Sequence, residues 1–164
     1  MKKIIFFIAL IFISCNNDNN DKIVLTSGIS MNPAEPRFGI EIKRDTLYYC
    51  EEIINNKGNY NYYKSEIDSK ILSDLRNGIQ NEFKKNIENK SIEDATPFEL
   101  YTCFDNNIKK NKFYFSSFSL NKNQIKVIKT IIKLKELKME KIESHSFPNE
   151  LLTEKLPEPP LPRN

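Results

Sequence analysis

Two stretches of strict alternation, each followed by an apolar recurrence of longer period, constrain this chain more than any other feature. Phe38, Ile40 and Ile42 fall on one side of an extended chain, with Gly39, Glu41 and Lys43 on the other. That is the pattern of a strand buried on one face. Arg44-Asp45 reads as a tight turn, and Thr46 to Ile54, rich in β-branched and aromatic residues, as the return strand. After a turn over 55–59, Tyr60, Tyr62 and Tyr63 add a short third strand. Then the period lengthens. Ile67, Ile71, Leu75, Ile79 and Phe83 recur every four residues, which predicts an amphipathic helix over 68–85 with Asp68 as its N-cap.

The second half runs the same course. Phe98, Leu100, Thr102 and Phe104 alternate against Glu99, Tyr101 and Cys103; a polar turn over 105–111 leads to a return strand over 112–120. A second helix is predicted over 123–136, with Ile125, Ile128, Ile131 and Ile132 on its apolar arc and Lys122, Lys126, Lys129 and Lys133 opposite. Residues 138–144 supply a last edge strand. The expected fold is α+β: one antiparallel sheet built from two hairpin-helix units, with both helices on one face.

The flanks are of another kind. Met1-Lys2-Lys3 precedes an unbroken apolar run from Ile4 to Ile13. A spanning helix needs about 20 apolar residues, so this run has the dimensions of a secretory signal peptide instead. Phe12-Ile13-Ser14-Cys15 resembles the lipobox of bacterial lipoproteins, with Phe12 where the family usually carries Leu. The resemblance covers the first fifteen residues. It implies a signal peptide over 1–14, acylation of Cys15, and a cell-envelope protein held in the membrane by lipid. Two or three acyl chains hold firmly where one holds marginally. Asn16 and Asn17 are not the Asp of the best-known inner-membrane retention rule, which points to the outer membrane.

Residues 15–36 read as the acylated cysteine and a flexible tether, opening with the polar run NNDNND. The domain is expected over 37–147. Residues 148–164 contain five prolines and read as an extended Pro-rich tail.

Charge excludes one class of partner. Removal of Lys2 and Lys3 lowers 25 basic residues to 23, against 22 acidic ones. No global field then favours nucleic acid, and none is expected as a partner.

Chemistry is sparse as well. A single histidine, His145, leaves triads and His-based metal sites without their imidazoles, and it reads as a solvated residue. The four glycines form no phosphate loop. Glu51 and Glu52 are neighbours on a strand and point to opposite faces; Glu93-Asp94 reads as turn or cap. No catalytic residue, metal or cofactor is expected, and the chain is not expected to be an enzyme.

Cys50 and Cys103 lie in strand-like runs and are candidates for a disulfide in an oxidising compartment, or else two separate buried thiols. The surplus is aromatic. Tyr48, Tyr60, Tyr62, Tyr101 and Tyr114 sit on expected strands, and both strand parities cannot face the helices. Tyrosines on the open face would suit recognition, being large, stiff and amphipathic; otherwise they serve packing. The functional expectation is a non-catalytic protein-binding module whose partner is another envelope or secreted protein. The rivals are a small-ligand binder with a concave pocket and a carboxylate-dependent hydrolase.

Overall fold

A computed structural model of the chain describes residues 21–32, 34–84, 87, 95–116, 119–148 and 150–155. The expected signal peptide, the lipobox with Cys15, and the run to Asn20 lie outside the described residues, as do Glu93-Asp94 and 156–164.

The described chain is α+β. Seven strands, β1 (Lys22–Ser27), β2 (Phe38–Lys43), β3 (Thr46–Glu52), β4 (Tyr60–Glu66), β5 (Pro97–Phe104), β6 (Asn107–Tyr114) and β7 (Glu140–Ile142), form one sheet. Their order is β6-β5-β1-β2-β3-β4-β7, and every neighbouring pair is antiparallel. Helix α1 (Ser69–Glu82) follows β4; α2 (Lys122–Lys133) follows β6 and tightens into a 3-10 turn over Leu134–Glu136.

The first correction concerns β1. Residues 22–27 fall inside the stretch expected as tether, yet they form an interior strand, paired with β2 on one side and β5 on the other. Ile23, Val24 and Leu25 are all fully buried. A strand covered on both faces needs no alternation, so its apolar run carries no period-two signal. Just before it, buried Asp21 accepts hydrogen bonds from Arg76 of α1 and, at 3.1 Å, from the Asp105 amide. Arg76 also pairs with Asp105 and lies over the Phe104 ring, so the entry to β1 is clamped to α1 and the β5-β6 turn.

Local chemistry sets the other elements. Asp68 caps α1 by accepting from the Lys70 amide at 2.8 Å. Asn121 and Gln124 form a reciprocal capping box at the start of α2. Asp105 and Asn106, at φ 49° and 61°, make the two-residue turn of the β5-β6 hairpin. Here too the sequence reading is corrected. The expected polar turn over 105–111 shrinks to those two residues, and β6 begins at Asn107. An edge strand can keep polar side chains in water, which hides it from a search for apolar alternation.

Leu75 and Ile79 of α1, and Ile128 and Ile131 of α2, share one core with Ile23, Leu25, Ile40, Ile42, Leu47 and Leu100 from the sheet. Gly78 lies where the helices meet: a Cβ there would sit 3.2 Å from Val127 Cγ2. The lysines at 122, 126, 129 and 133 are exposed.

Candidate functional site

The sheet's second face carries the tyrosines. Strand register places Tyr101, Val24, Glu41 and Tyr48 in one row across β5, β1, β2 and β3. The next row holds Glu99, Thr26, Gly39, Cys50 and Tyr62. Tyr60 lies opposite Glu52, and Tyr114 opposite Pro97, one row further on. Since side chains alternate between faces, Tyr48, Tyr60, Tyr62, Tyr101 and Tyr114 all project away from the helices. Each is half-buried. Tyr49 and Tyr63 point the other way and stack beside the core, ring centres 5.9 Å apart.

This face is not bare. The chain leaves β7 and crosses it as a strap, described over residues 143–148 and 150–155. His145, expected as a solvated residue, stacks flat on Tyr48 with ring centres 3.8 Å apart, and Phe147 meets the imidazole edge-on at 5.0 Å. The His145 Nε2 atom lies 3.3 Å from Oε2 of Glu41, which is itself buried. Burial here reflects a long-range contact that residue type cannot signal. Further on, Glu150 reaches Lys112 of β6 at 3.9 Å, and Leu151 and Leu152 are buried. The tail expected over 148–164 is therefore packed on the sheet at 150–155.

Arg37 fastens the strap. Its guanidinium is buried and pairs with Glu52, and Nη1 donates to the Leu151 carbonyl at 3.3 Å and to the Glu154 carbonyl at 2.8 Å. Tyr60 donates its hydroxyl to the Leu152 carbonyl at 2.7 Å. Glu52 also accepts from the Gly58 amide at 2.7 Å and lies 3.5 Å from Lys57. Burial opposes ionisation of Glu52, but the bonds from Arg37 and Gly58 and the charges of Arg37 and Lys57 outweigh it; the carboxyl falls from 4.5 to about 2. Burial is also the main reason the Tyr60 hydroxyl is held above its ordinary range, so it stays a neutral donor.

Beneath the strap lies Gly39. A Cβ there would sit 3.0 Å from Cys50 Sγ and 3.1 Å from both Leu152 Cδ1 and Phe147 Cδ1. Only glycine lets the strap come this close. Between the strap and β4 a cleft of 740 Å³ opens to solvent, lined by Arg37, Lys57, Tyr60, Tyr62, His145 and Phe147 among others.

The two cysteines do not pair. Both are buried free thiols. Strands β2 and β1 stand between β3, which carries Cys50, and β5, which carries Cys103. At about 4.8 Å per strand their Cα atoms are separated by at least ~14 Å, twice what a disulfide spans. Burial pushes the Cys50 thiol up to about 12, with Glu51 adding to it against a hydrogen bond with the Gly39 backbone. Such a thiol is unreactive while it stays covered.

Glu51 and Glu52 diverge: Glu51 accepts from the Tyr49 hydroxyl at 2.9 Å on the helix side, while Glu52 holds Arg37 on the other. Among the described residues no three His, Cys, Asp or Glu side chains come together to hold a metal ion. The arrangement offers stacking surfaces, fixed donors for carbonyl oxygens and an apolar floor. Compared with known protein families and with curated proteins, the chain matches none.

Proposed function

We propose that this is a bacterial envelope lipoprotein, acylated at Cys15 and held in the outer membrane. In this reading its domain is a non-catalytic module that binds another envelope or secreted protein. The observation that carries the binding role is the placement of Tyr48, Tyr60, Tyr62, Tyr101 and Tyr114 on one sheet face, turned away from the helices. Half-buried tyrosines combine apolar area with a polar tip and lose little rotamer freedom on binding, the properties of interface anchors. The lipid anchor rests on the lipobox resemblance. The two hairpin-helix units belong to the same proposal, as the frame that leaves one sheet face without helices.

The 740 Å³ cleft favours a second reading, a small ligand bound between Tyr60, Tyr62 and the strap, since its size suits a drug-sized molecule.

In-cell crosslinking and pull-down of the tagged protein, beside Cys15→Ser and Tyr48→Ala/Tyr101→Ala copies, tests the main reading. One stoichiometric partner, recovered with the acylated protein and lost with the double tyrosine variant, is the expected result. Unchanged membrane partitioning of Cys15→Ser refutes the anchor. Recovery that ignores the tyrosine changes refutes the face.

A further inference from the structure

The strap is held differently from a core segment. Alongside its side-chain contacts, hydrogen bonds hold its backbone: Arg37 donates to two carbonyls and Tyr60 to a third. Bonds to carbonyls read the path of a chain rather than its sequence. Its side chains then fill a pocket that a missing Cβ creates, with Phe147 and Leu152 meeting over Gly39. The described residues of 143–148 and 150–155 add no strand to the sheet, and a turn joins Thr153 to Glu150, whose carbonyl accepts from the Thr153 amide at 3.0 Å and its hydroxyl at 2.9 Å. The groove also continues past the strap into the cleft beside Tyr62, so the strap does not fill it.

We infer that the groove between Arg37, Gly39, Tyr60 and Tyr62 is a peptide-binding site, and that the strap occupies it as an intramolecular stand-in for an extended segment of a partner protein. This rests on the protein-binding reading above and names the class of ligand. The segment carries an aromatic residue and, four to five positions on, paired leucines, as Phe147, Leu151 and Leu152 do here. Its carbonyls take the bonds from Arg37 and Tyr60. Arg37 reaches them because Glu52 fixes the guanidinium from behind.

Competition follows. A segment tethered through a short linker acts at an effective concentration on the order of millimolar. If strap and partner segment share an intrinsic Kd of about 10 µM, the partner's apparent affinity is held back roughly 100-fold while the strap is docked. Undocking the strap strengthens its apparent binding by up to that factor.

Cys50 reports the state of the groove, because Phe147 and Leu152 close over the same Gly39 floor that its sulfur touches. In full-length chain carrying Cys15→Ser and Cys103→Ala, Cys50 is the one remaining thiol. Adding Leu152→Asp should raise its labelling rate about 100-fold with the far-UV circular dichroism unchanged. A synthetic peptide of residues 144–155, at about 1 mM, should slow labelling again at least tenfold. The same peptide with both leucines replaced by Asp should do nothing. Labelling at the wild-type rate in Leu152→Asp, or no protection by the peptide, overturns the assignment. If Leu152→Asp loses its circular dichroism signal, hydrogen exchange on the unaltered chain decides. Amides of 151–153 exchanging about 100-fold faster than those of Ile23–Leu25 support a displaceable strap, and equal exchange overturns it. Peptide failure with capture of a partner through Tyr101, outside the groove, overturns only the groove. Failure of both removes the binding reading itself.

Discussion

Replacing Arg37 with methionine removes the guanidinium at the centre of the strap's anchorage and leaves buried Glu52 with the Gly58 amide and, at 3.5 Å, Lys57. Removing one partner of a buried ion pair costs about 3–5 kcal/mol, since the other charge stays out of water without compensation. The depressed pKa of Glu52 gives a second figure, one that Arg37 shares with Gly58 and Lys57. A carboxyl brought from 4.5 to about 2 contributes about 3 kcal/mol of stability at neutral pH. The sign follows from the direction of the shift. The folded state holds the proton less tightly than the unfolded state, so this stability is fully present above pH 4.5 and is lost as pH falls through about 2. Arg37→Met should therefore lower Tm at pH 7 by roughly 6–20 °C, at about 2–4 °C per kcal/mol for a chain of this size. The gap to the wild type should narrow between pH 4.5 and 2. Adding Glu52→Leu should recover part of the loss, because no buried carboxylate is then left unpaired. Thermal unfolding followed by circular dichroism across that pH range is the assay. A loss below about 3 °C, or one that ignores pH, refutes the reasoning.

Two further changes probe the scaffold and the groove floor. Asn121→Ala removes the side chain that accepts from the Gln124 amide and opens the capping box of α2; chemical denaturation should show a loss of about 1 kcal/mol. Gly39→Val places methyl groups where Cys50, Phe147 and Leu152 already meet the Cβ position at 3.0–3.1 Å, costing about 1–3 kcal/mol. It should also speed Cys50 labelling, and an unchanged rate would show that the strap does not cover the thiol.

How much was legible in the sequence varied with the kind of burial. The α1 pattern was plain because one stripe of the helix meets the core, and Asp68 announced its start. Strands β2, β3 and β5 showed themselves because their two faces differ in chemistry. Strand β1 did not: covered on both sides, KIVLTS carries no alternation, and it follows a polar run that suggests tether. Strand β6 hid for the opposite reason, since NIKKNK is polar at the sheet edge, with Lys110 and Lys112 in water and Lys109 donating to the Phe83 and Lys84 carbonyls. The parity of the five tyrosines was readable residue by residue. The strap was not, because Arg37 and the Leu151 carbonyl lie 114 positions apart and nothing local links them. The trace that could have found it is Gly39, a strand-interior glycine in an otherwise alternating run, which marks a close approach by something. Isolated Leu151-Leu152 in a Pro-rich tail is the matching trace. The disulfide between Cys50 and Cys103 fails on strand order, which follows from β1 entering the sheet between β2 and β5.

The measurement that bears most directly on the central claim is site-specific photocrosslinking in cells. Tyr101, Tyr62 and Lys129 are each replaced in turn by benzoylphenylalanine. Tyr101 and Tyr62 sample the tyrosine face outside and inside the groove, and Lys129 samples the exposed side of α2. The account expects one protein captured from Tyr101 and Tyr62 and not from Lys129. Capture from Lys129 alone would place the binding surface on the helices and contradict it.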